Sequence, residues 1–413
     1  MPVGPIIILD KSTLQSLSIN ESALLENFFL TNITPLLYAE TLADLEKKPN
    51  SHRTAEEMVA ELSNKTPERN SYPNIYHRTL IANSLLGRHI EMANRPIIHG
   101  GQPRIAPDGK VGIHFNEFPE IRMMQHWYEG RFEDAERRIA RRWRESLSNM
   151  EFDTNIGLTK NVIPQGRKFR SLEEIKAFVD DFIQQPGEEI LHLALQLFGF
   201  PRDSYTRVIR SYEQARHTRF IEFAPYATYV FKVDLLFYIG ILNDLISKER
   251  PSNWIDIAYL YYLPFCMVFS SNDKLHARTA PLFMEIGQTY IGGNELKQGL
   301  RELDCYYTEH LDEIESVGLM QFAPYPPSDM HNSVTRLWDV YLPGWRELNL
   351  EQRRENKLED TSDIVTRLKR AQTQSIPLGI HVDSETADYS MISRMARVRK
   401  GKWRIMPPGV EDE

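Results

Sequence analysis

Cysteine is scarce in this chain: only Cys266 and Cys305 occur in 413 residues. That excludes a disulfide scaffold and a cysteine-rich zinc module. Positive charge is not in excess either, with 49 Lys plus Arg against 57 Asp plus Glu and a net charge of −8. Any contact with nucleic acid must therefore come from a local patch rather than an overall basic coat. No run approaches 18 apolar residues, and the opening Val3 to Leu9 is cut short by Asp10 and Lys11. It is too short and wrongly flanked for a signal peptide or a membrane span. No Gly-x-Ser-x-Gly elbow marks a serine hydrolase. No His-Glu-x-x-His or Cys–His spacing marks zinc. Gly4 with Lys11-Ser12 falls short of a phosphate loop, because Asp10 stands where glycine is required. Repeats and low-complexity tracts are absent. With 41% hydrophobic and 26% charged residues, the composition predicts a soluble, cytoplasmic, globular chain without a membrane partner, of two or three domains at about 100–200 residues each.

What is present alternates strand and helix at both ends of the first 290 residues. Residues 3–9 are apolar and β-branched, the pattern of a buried parallel strand. Ser18 with Glu21, and Thr54 with Glu57, have capping-box spacing. Ile33 to Leu37 is a second apolar run leading into a helix through Glu40, Leu42 and Leu45. Further on come a predicted hairpin (Arg104 to Phe115, turning at Pro107-Asp108-Gly109) and an Arg-rich helix. A helix from Ser171 is expected to run to about Gln185, where Pro186-Gly187 stops it. A strongly apolar helix spans Tyr229 to Ser247. After it a helix (Asn253 to Leu263), a strand (Phe265 to Ser270) and a helix from Lys274 restore the α/β pattern.

Acids stand at the ends of these elements. Asp10 closes the first strand, Glu40 lies early in the helix after the second run, Asp256 opens the helix before the next strand, and Asp273 follows that strand. In an open parallel sheet, ligands bind beyond the carboxyl ends of the strands. Each acid alone has an ordinary explanation: Asp10 and Asp273 as helix caps, Asp256 as a first-turn acid facing the helix dipole, Glu40 as a solvated residue. As an ordered set they suit a hard cation, Mg²⁺ or Mn²⁺, because clustered carboxylates repel unless one is bound. Such ions support phosphodiester hydrolysis. Asp44 and Asp244 are the reserves for Glu40 and Asp256. Asp153-Thr154-Asn155-Ile156 offers a rival opening, but Asn149 to Phe152 is no buried strand.

The strand-Asp-x-Ser opening (Ile-Ile-Ile-Leu-Asp10-Lys-Ser12), the Glu of Tyr38-Ala39-Glu40-Thr41-Leu42, the acid of Trp254-Ile255-Asp256-Ile257-Ala258-Tyr259-Leu260 and the Ser-x-Asp of Ser271-Asn272-Asp273 together resemble the PIN domain. The resemblance implies an α/β fold, a parallel sheet flanked by helices, in a metal-dependent nuclease acting mostly on RNA. It implies Asp10, Glu40, Asp256 and Asp273 as catalytic, metal-binding acids, with Ser12, Ser271 and Asn272 supporting them. It covers residues 3–47 and 229–290. The interval from Glu40 to Asp256 is several times that of a minimal PIN domain, so the expected organisation is a discontinuous core (1–50 and 229–290), a mainly helical insertion (51–228) and a helical, then basic, C-terminal region (291–413). A regulatory partner or self-association fits such a nuclease, and a non-catalytic binding or assembly module is the alternative.

Two basic segments bear on a nucleic-acid partner. Residues 391–404 carry Arg394, Arg397, Arg399, Lys400, Lys402 and Arg404 with Trp403 and no acid, a combination suited to a phosphate backbone and a stacked base. The plain alternative is a charged edge or tail. Arg137, Arg138, Arg141, Arg142 and Arg144 form the second cluster, and Glu133 and Asp134 are spaced to pair with Arg137 and Arg138 along one helix. His99 and His217 read as structural, Cys266 as buried and inert.

Overall fold

A computed structural model describes residues 4–46, 54–69, 71–98, 102–105, 111–115, 126–128, 133–148, 152–215, 219–249, 253–349, 389–392 and 397–408. Five parallel strands form the central sheet: β1 (Ile6–Leu9), β2 (Leu30–Ile33), β3 (Ser71–Pro73), β6 (Val268–Ser271) and β7 (Thr289–Gly292), in spatial order β3-β2-β1-β6-β7. The chain builds outward from β1 to β3 and later resumes on the other side of β1. The order therefore reverses between β1 and β6, and at such a switch point the loops leaving two adjacent strands diverge and open a crevice. Asp10 follows β1, and Ser271 ends β6, on the two sides of that switch point.

Burial on both faces explains the apolar run of β1. Ile6 and Ile8 enter one core and Ile7 and Leu9 the other, as the two-residue period of a strand requires. The first core is closed by helices Leu172–Phe182, Glu188–Leu197 and Pro225–Leu242, the second by α2 (Ile19–Phe28) and helices Gly293–Thr308 and Ser333–Tyr341. Helix Pro225–Leu242 has the length and hydropathy of a membrane span, but 78% of it is buried inside the fold.

Local signals set the helix starts. Asp10 caps α1 (Lys11–Ser16), and the capping boxes of α2 (Ser18, Glu21) and α4 (Ala55–Lys65; Thr54, Glu57) form as spaced in the sequence. Thr34 caps α3 (Pro35–Ala43), whose first residue is proline, so the second strand ends at Ile33 and the expected strand-like run to Leu37 is helical. The helix expected to reach Leu263 ends at Tyr259. Leu260–Phe265 is a 3₁₀ turn containing Pro264, which has no N–H to donate, and the strand starts at Val268 rather than Phe265. Helix Leu172–Phe182 likewise stops short of Gln185.

Residues 51–228, expected as an insertion, supply β3 to the sheet and helices to the first core. The hairpin forms between β4 (Gln102–Ile105) and β5 (Val111–Phe115), and β8 (Tyr389–Ile392) pairs in parallel with β5. Its turn, Pro107-Asp108-Gly109, lies outside the described residues. Near the C-terminus β9 (Arg399–Lys400) and β10 (Trp403–Arg404) form an antiparallel pair.

Candidate active site

Asp10 organises the switch point. Its Oδ1 accepts the Thr13 N–H at 2.8 Å as the α1 cap, while Oδ2 accepts the hydroxyls of Ser12 at 2.6 Å and Ser271 at 2.7 Å. The two serines are in turn held by the neighbouring backbone: Ser12 accepts the Asn272 N–H at 3.1 Å, and Ser271 accepts the Asp273 N–H at 2.9 Å. The loops after β1 and β6 are thus stitched together through one carboxylate. Oδ2 has both lone pairs engaged, which leaves only Oδ1 with capacity for a further ligand.

The other acids surround this centre. Glu40 in α3 accepts the Tyr259 hydroxyl at 2.6 Å through Oε2. Asp273 caps helix Lys274–Phe283 through Oδ1, which accepts the Leu275 N–H at 2.5 Å. Asp256, in helix Asn253–Tyr259, is partly buried, and its carboxyl accepts no hydrogen bond among the described residues. Asn272 Oδ1 receives the Asn294 N–H at 2.9 Å, and Tyr290 donates to the Ser271 carbonyl at 3.0 Å. Gly293 is required beside them, because a Cβ there would collide with Thr13 Oγ1 and the Asn272 side chain.

These groups lie close enough to change one another's ionisation. Burial opposes the Asp10 charge, but hydrogen bonding and charge from His276, then Ser12 and Thr13, hold its carboxyl below the usual range. Asp256 is pushed up to about 7, by burial first and then by the negative charges of Asp273, Glu40 and Asp10, with His276 opposing. Burial raises Glu40 against the counter-effects of Lys11 and Tyr259. Tyr290 is raised to about 12 by burial, Asp10 and Asp273. The four acids expected from the sequence therefore share one electrostatic environment. Carboxylates are the donor type that hard divalent cations take. Among the described residues, however, no three His, Cys, Asp or Glu side chains stand close enough together to hold an ion by themselves. The donor set fits Mg²⁺ or Mn²⁺ bound through one or two carboxylates with water in the remaining positions, the usual habit of Mg²⁺.

Three participants carry no strong signal in the sequence. Lys11 is buried, pairs with Asp44 at 2.7 Å and donates to the Glu40 carbonyl at 2.9 Å, so Asp44 is not a spare ligand. Tyr259 stands three residues after Asp256 on the same helix, the one periodic hint available. His276 is fully buried and contacts Ser271 Oγ through Nδ1 at 2.7 Å. Ser271, His276 and Asp10 have the composition of a hydrolytic triad. With Ser271 1% and His276 0% exposed, no substrate reaches that hydroxyl. Asp244 sits in a turn at φ +60°, and exposed Asp153 pairs with Lys248 at 2.7 Å. Neither joins the site.

Compared with protein-family models, curated proteins and solved structures, the chain matches none.

Much of the C-terminal basic segment is engaged with the rest of the fold. Trp403 is fully buried and donates to Asp304 at 3.1 Å, and Lys400, 2% exposed, pairs with Glu26 at 3.0 Å and donates to the Thr66 carbonyl. Arg397 pairs with Glu68, Arg399 and Arg404 with Glu315, and Lys402 with Asp304. The cations expected to meet a polyanion are instead used to fasten the chain end to the core, and Trp403 is unavailable for stacking. Arg394, His99 and His217 lie outside the described residues. In the Arg-rich helix Asp134–Ser148 the expected pairing along the helix is replaced. Arg137 reaches Glu56 at 2.8 Å, and the buried Glu136 accepts the Trp127 N–H at 2.8 Å. Arg138 and Arg142, four residues apart, are exposed and make no ion pair among the described residues. The helix packs against α3, which carries Glu40.

Proposed function

We propose that this chain is a PIN-like, metal-dependent nuclease that hydrolyses phosphodiester bonds in single-stranded RNA. The observation that supports the reading is the placement of Asp10, Glu40, Asp256 and Asp273 around the switch point of a parallel sheet, near enough that burial first and then the other three carboxylates raise Asp256 to about 7. When bound, Mg²⁺ or Mn²⁺ supplies the positive charge that lets the carboxylates stay ionised and polarises the phosphodiester. Asp10 would hold the ion through Oδ1, its orientation fixed by Ser12 and Ser271. Asp273 and Glu40 each have one oxygen not engaged by the contacts above. Asp256, in its ionised form, would accept a proton from the water that adds to phosphorus, while the P–O bond to the leaving sugar oxygen breaks and that oxygen takes a proton from solvent. Arg138 and Arg142 replace the C-terminal cations as the candidates for the nucleic-acid backbone, in keeping with their place on a helix packed against α3.

The test is cleavage of end-labelled single-stranded RNA and DNA in Mn²⁺, Mg²⁺ or EDTA, with Asp10→Asn and Asp273→Asn alongside. Metal-dependent cleavage of RNA that falls to background in both variants is expected; cleavage unchanged by either substitution overturns the assignment. The lack of three ready ligands among the described residues favours one other reading, a binding or assembly module on the same fold. A ligand for the native state raises its melting temperature, so no thermal shift with Mn²⁺ and no cleavage would support the module.

A further inference from the structure

His276 packs edge-on against the rings of Tyr259 and Phe269, but that packing does not account for the polar contacts of its two ring nitrogens. It lies in the first turn of helix Lys274–Phe283, fully buried, with both ring nitrogens in polar contact. Nε2 is 2.5 Å from the backbone carbonyl of Asp256, and Nδ1 is 2.7 Å from Ser271 Oγ and 3.6 Å from Asp10 Oδ2. Counting protons fixes the direction of each bond. A carbonyl only accepts, so Nε2 donates to Asp256. Ser271 has one hydroxyl proton and gives it to the Asp10 carboxylate, so Nδ1 donates to Ser271 and the ring, with both nitrogens donating, is the imidazolium. The result is a directed chain in which the imidazole holds Ser271, Ser271 holds Asp10, and the other ring nitrogen holds the helix that carries Asp256.

We infer that His276 is a positioning residue, which joins Asp10 and the Asp256 helix into one unit through Ser271 and thereby sets the distance between two acids that are 246 positions apart in the sequence. The inference rests on the metal-site reading above. It explains how the site keeps its shape although Asp10 and Asp256 belong to different βα units. Partners that orient a metal-binding group typically change metal affinity by about 10–100-fold when removed.

Mn²⁺ affinity of the full chain, measured by electron paramagnetic resonance, tests it without reference to cleavage. Asparagine places its amide nitrogen near the Nδ1 position, and glutamine places its own near Nε2. His276→Asn is therefore expected to keep the Ser271–Asp10 arm and to bind Mn²⁺ within about threefold of wild type, whereas His276→Gln loses that arm and about tenfold or more. A packing role alone gives equal losses in the two variants, and that result, or wild-type affinity in both, overturns the inference. Ser271→Ala, which breaks the chain at its midpoint by removing one oxygen, keeps the test open if a histidine variant does not fold. It is expected to lose about tenfold, and unchanged affinity there overturns the inference as well. Failure of the wild-type protein to bind Mn²⁺ at all would instead fell the metal-site reading itself, and is recognised before any variant is compared.

Discussion

Around the carboxyl ends of β1 and β6 four carboxylates lie within electrostatic reach of one another, and their repulsion adds to burial in raising Asp256 to about 7. Under the C-terminal hairpin the opposite holds: Lys400 lies against Glu26, Lys402 against Asp304, and Arg399 against Glu315. Both regions looked functional in the sequence because both concentrate charge of one sign. What separates them is what lies across from that charge in space. Like charges held together cost folding free energy and persist where a ligand offsets the cost, whereas opposite charges brought together from distant segments fasten a structure.

The sharpest way to break this comparison is to remove a cation from the fastened region. Lys400→Ala leaves Glu26 buried beside a vacated partner and is expected to destabilise the fold by about 3–5 kcal/mol in chemical denaturation. Arg69, 3.9 Å away, softens that loss. Acid provides a second test of the same pair. Burial opposes the Glu26 charge, but Lys400 and Arg69 pull its carboxyl down to about 2, from 4.5 in an unpaired carboxyl. A depressed carboxyl contributes stability above its unfolded value and loses it as pH falls through the folded one. Stability should therefore drop by up to about 3 kcal/mol between pH 4.5 and 2, and Glu26→Gln should flatten that slope.

The acid edge is expected to answer in the other direction. Asp256 is raised rather than depressed, so stability present below its unfolded value is lost as pH rises toward about 7. In metal-free buffer at pH 8, Asp256→Asn should raise the melting temperature; a loss would mean that the acids do not repel as described. The smallest effect is expected at the rim of the hairpin, where Arg399 and Glu315 are both about half exposed. Arg399→Ala should change stability by less than about 1 kcal/mol, and less still at high salt.

Much of the site was legible because its residues sit at element ends. The β1 run, the caps at Ser18 and Thr54, and an acid after β1 and after β6 are local features, and local features are what a sequence displays. His276 was not legible. One histidine in a helix turn has no pattern, and its role comes from Ser271 five residues before it and Asp256 twenty residues before it, across a strand and a 3₁₀ turn. The same limit hid the burial of Trp403, whose surroundings come from helix Gly293–Thr308 about a hundred residues away. The third strand of the sheet was missed as well, because Ser71–Pro73 is three residues long and carries no apolar run.

The sequence by itself determined that the chain alternates buried strands with capped helices and that Asp10, Asp256 and Asp273 stand where strands give way to helices or helices begin; Glu40, expected early in its helix, lies in the second half of α3. Periodicity and capping act over a few residues, so they survive in one dimension. Tertiary structure alone decided which charges meet like charges and which meet opposite ones. Electrostatic pairing depends on distance in space, and the strand order β3-β2-β1-β6-β7 brings residues 10 and 271 together while the chain end folds back onto Glu26 and Asp304.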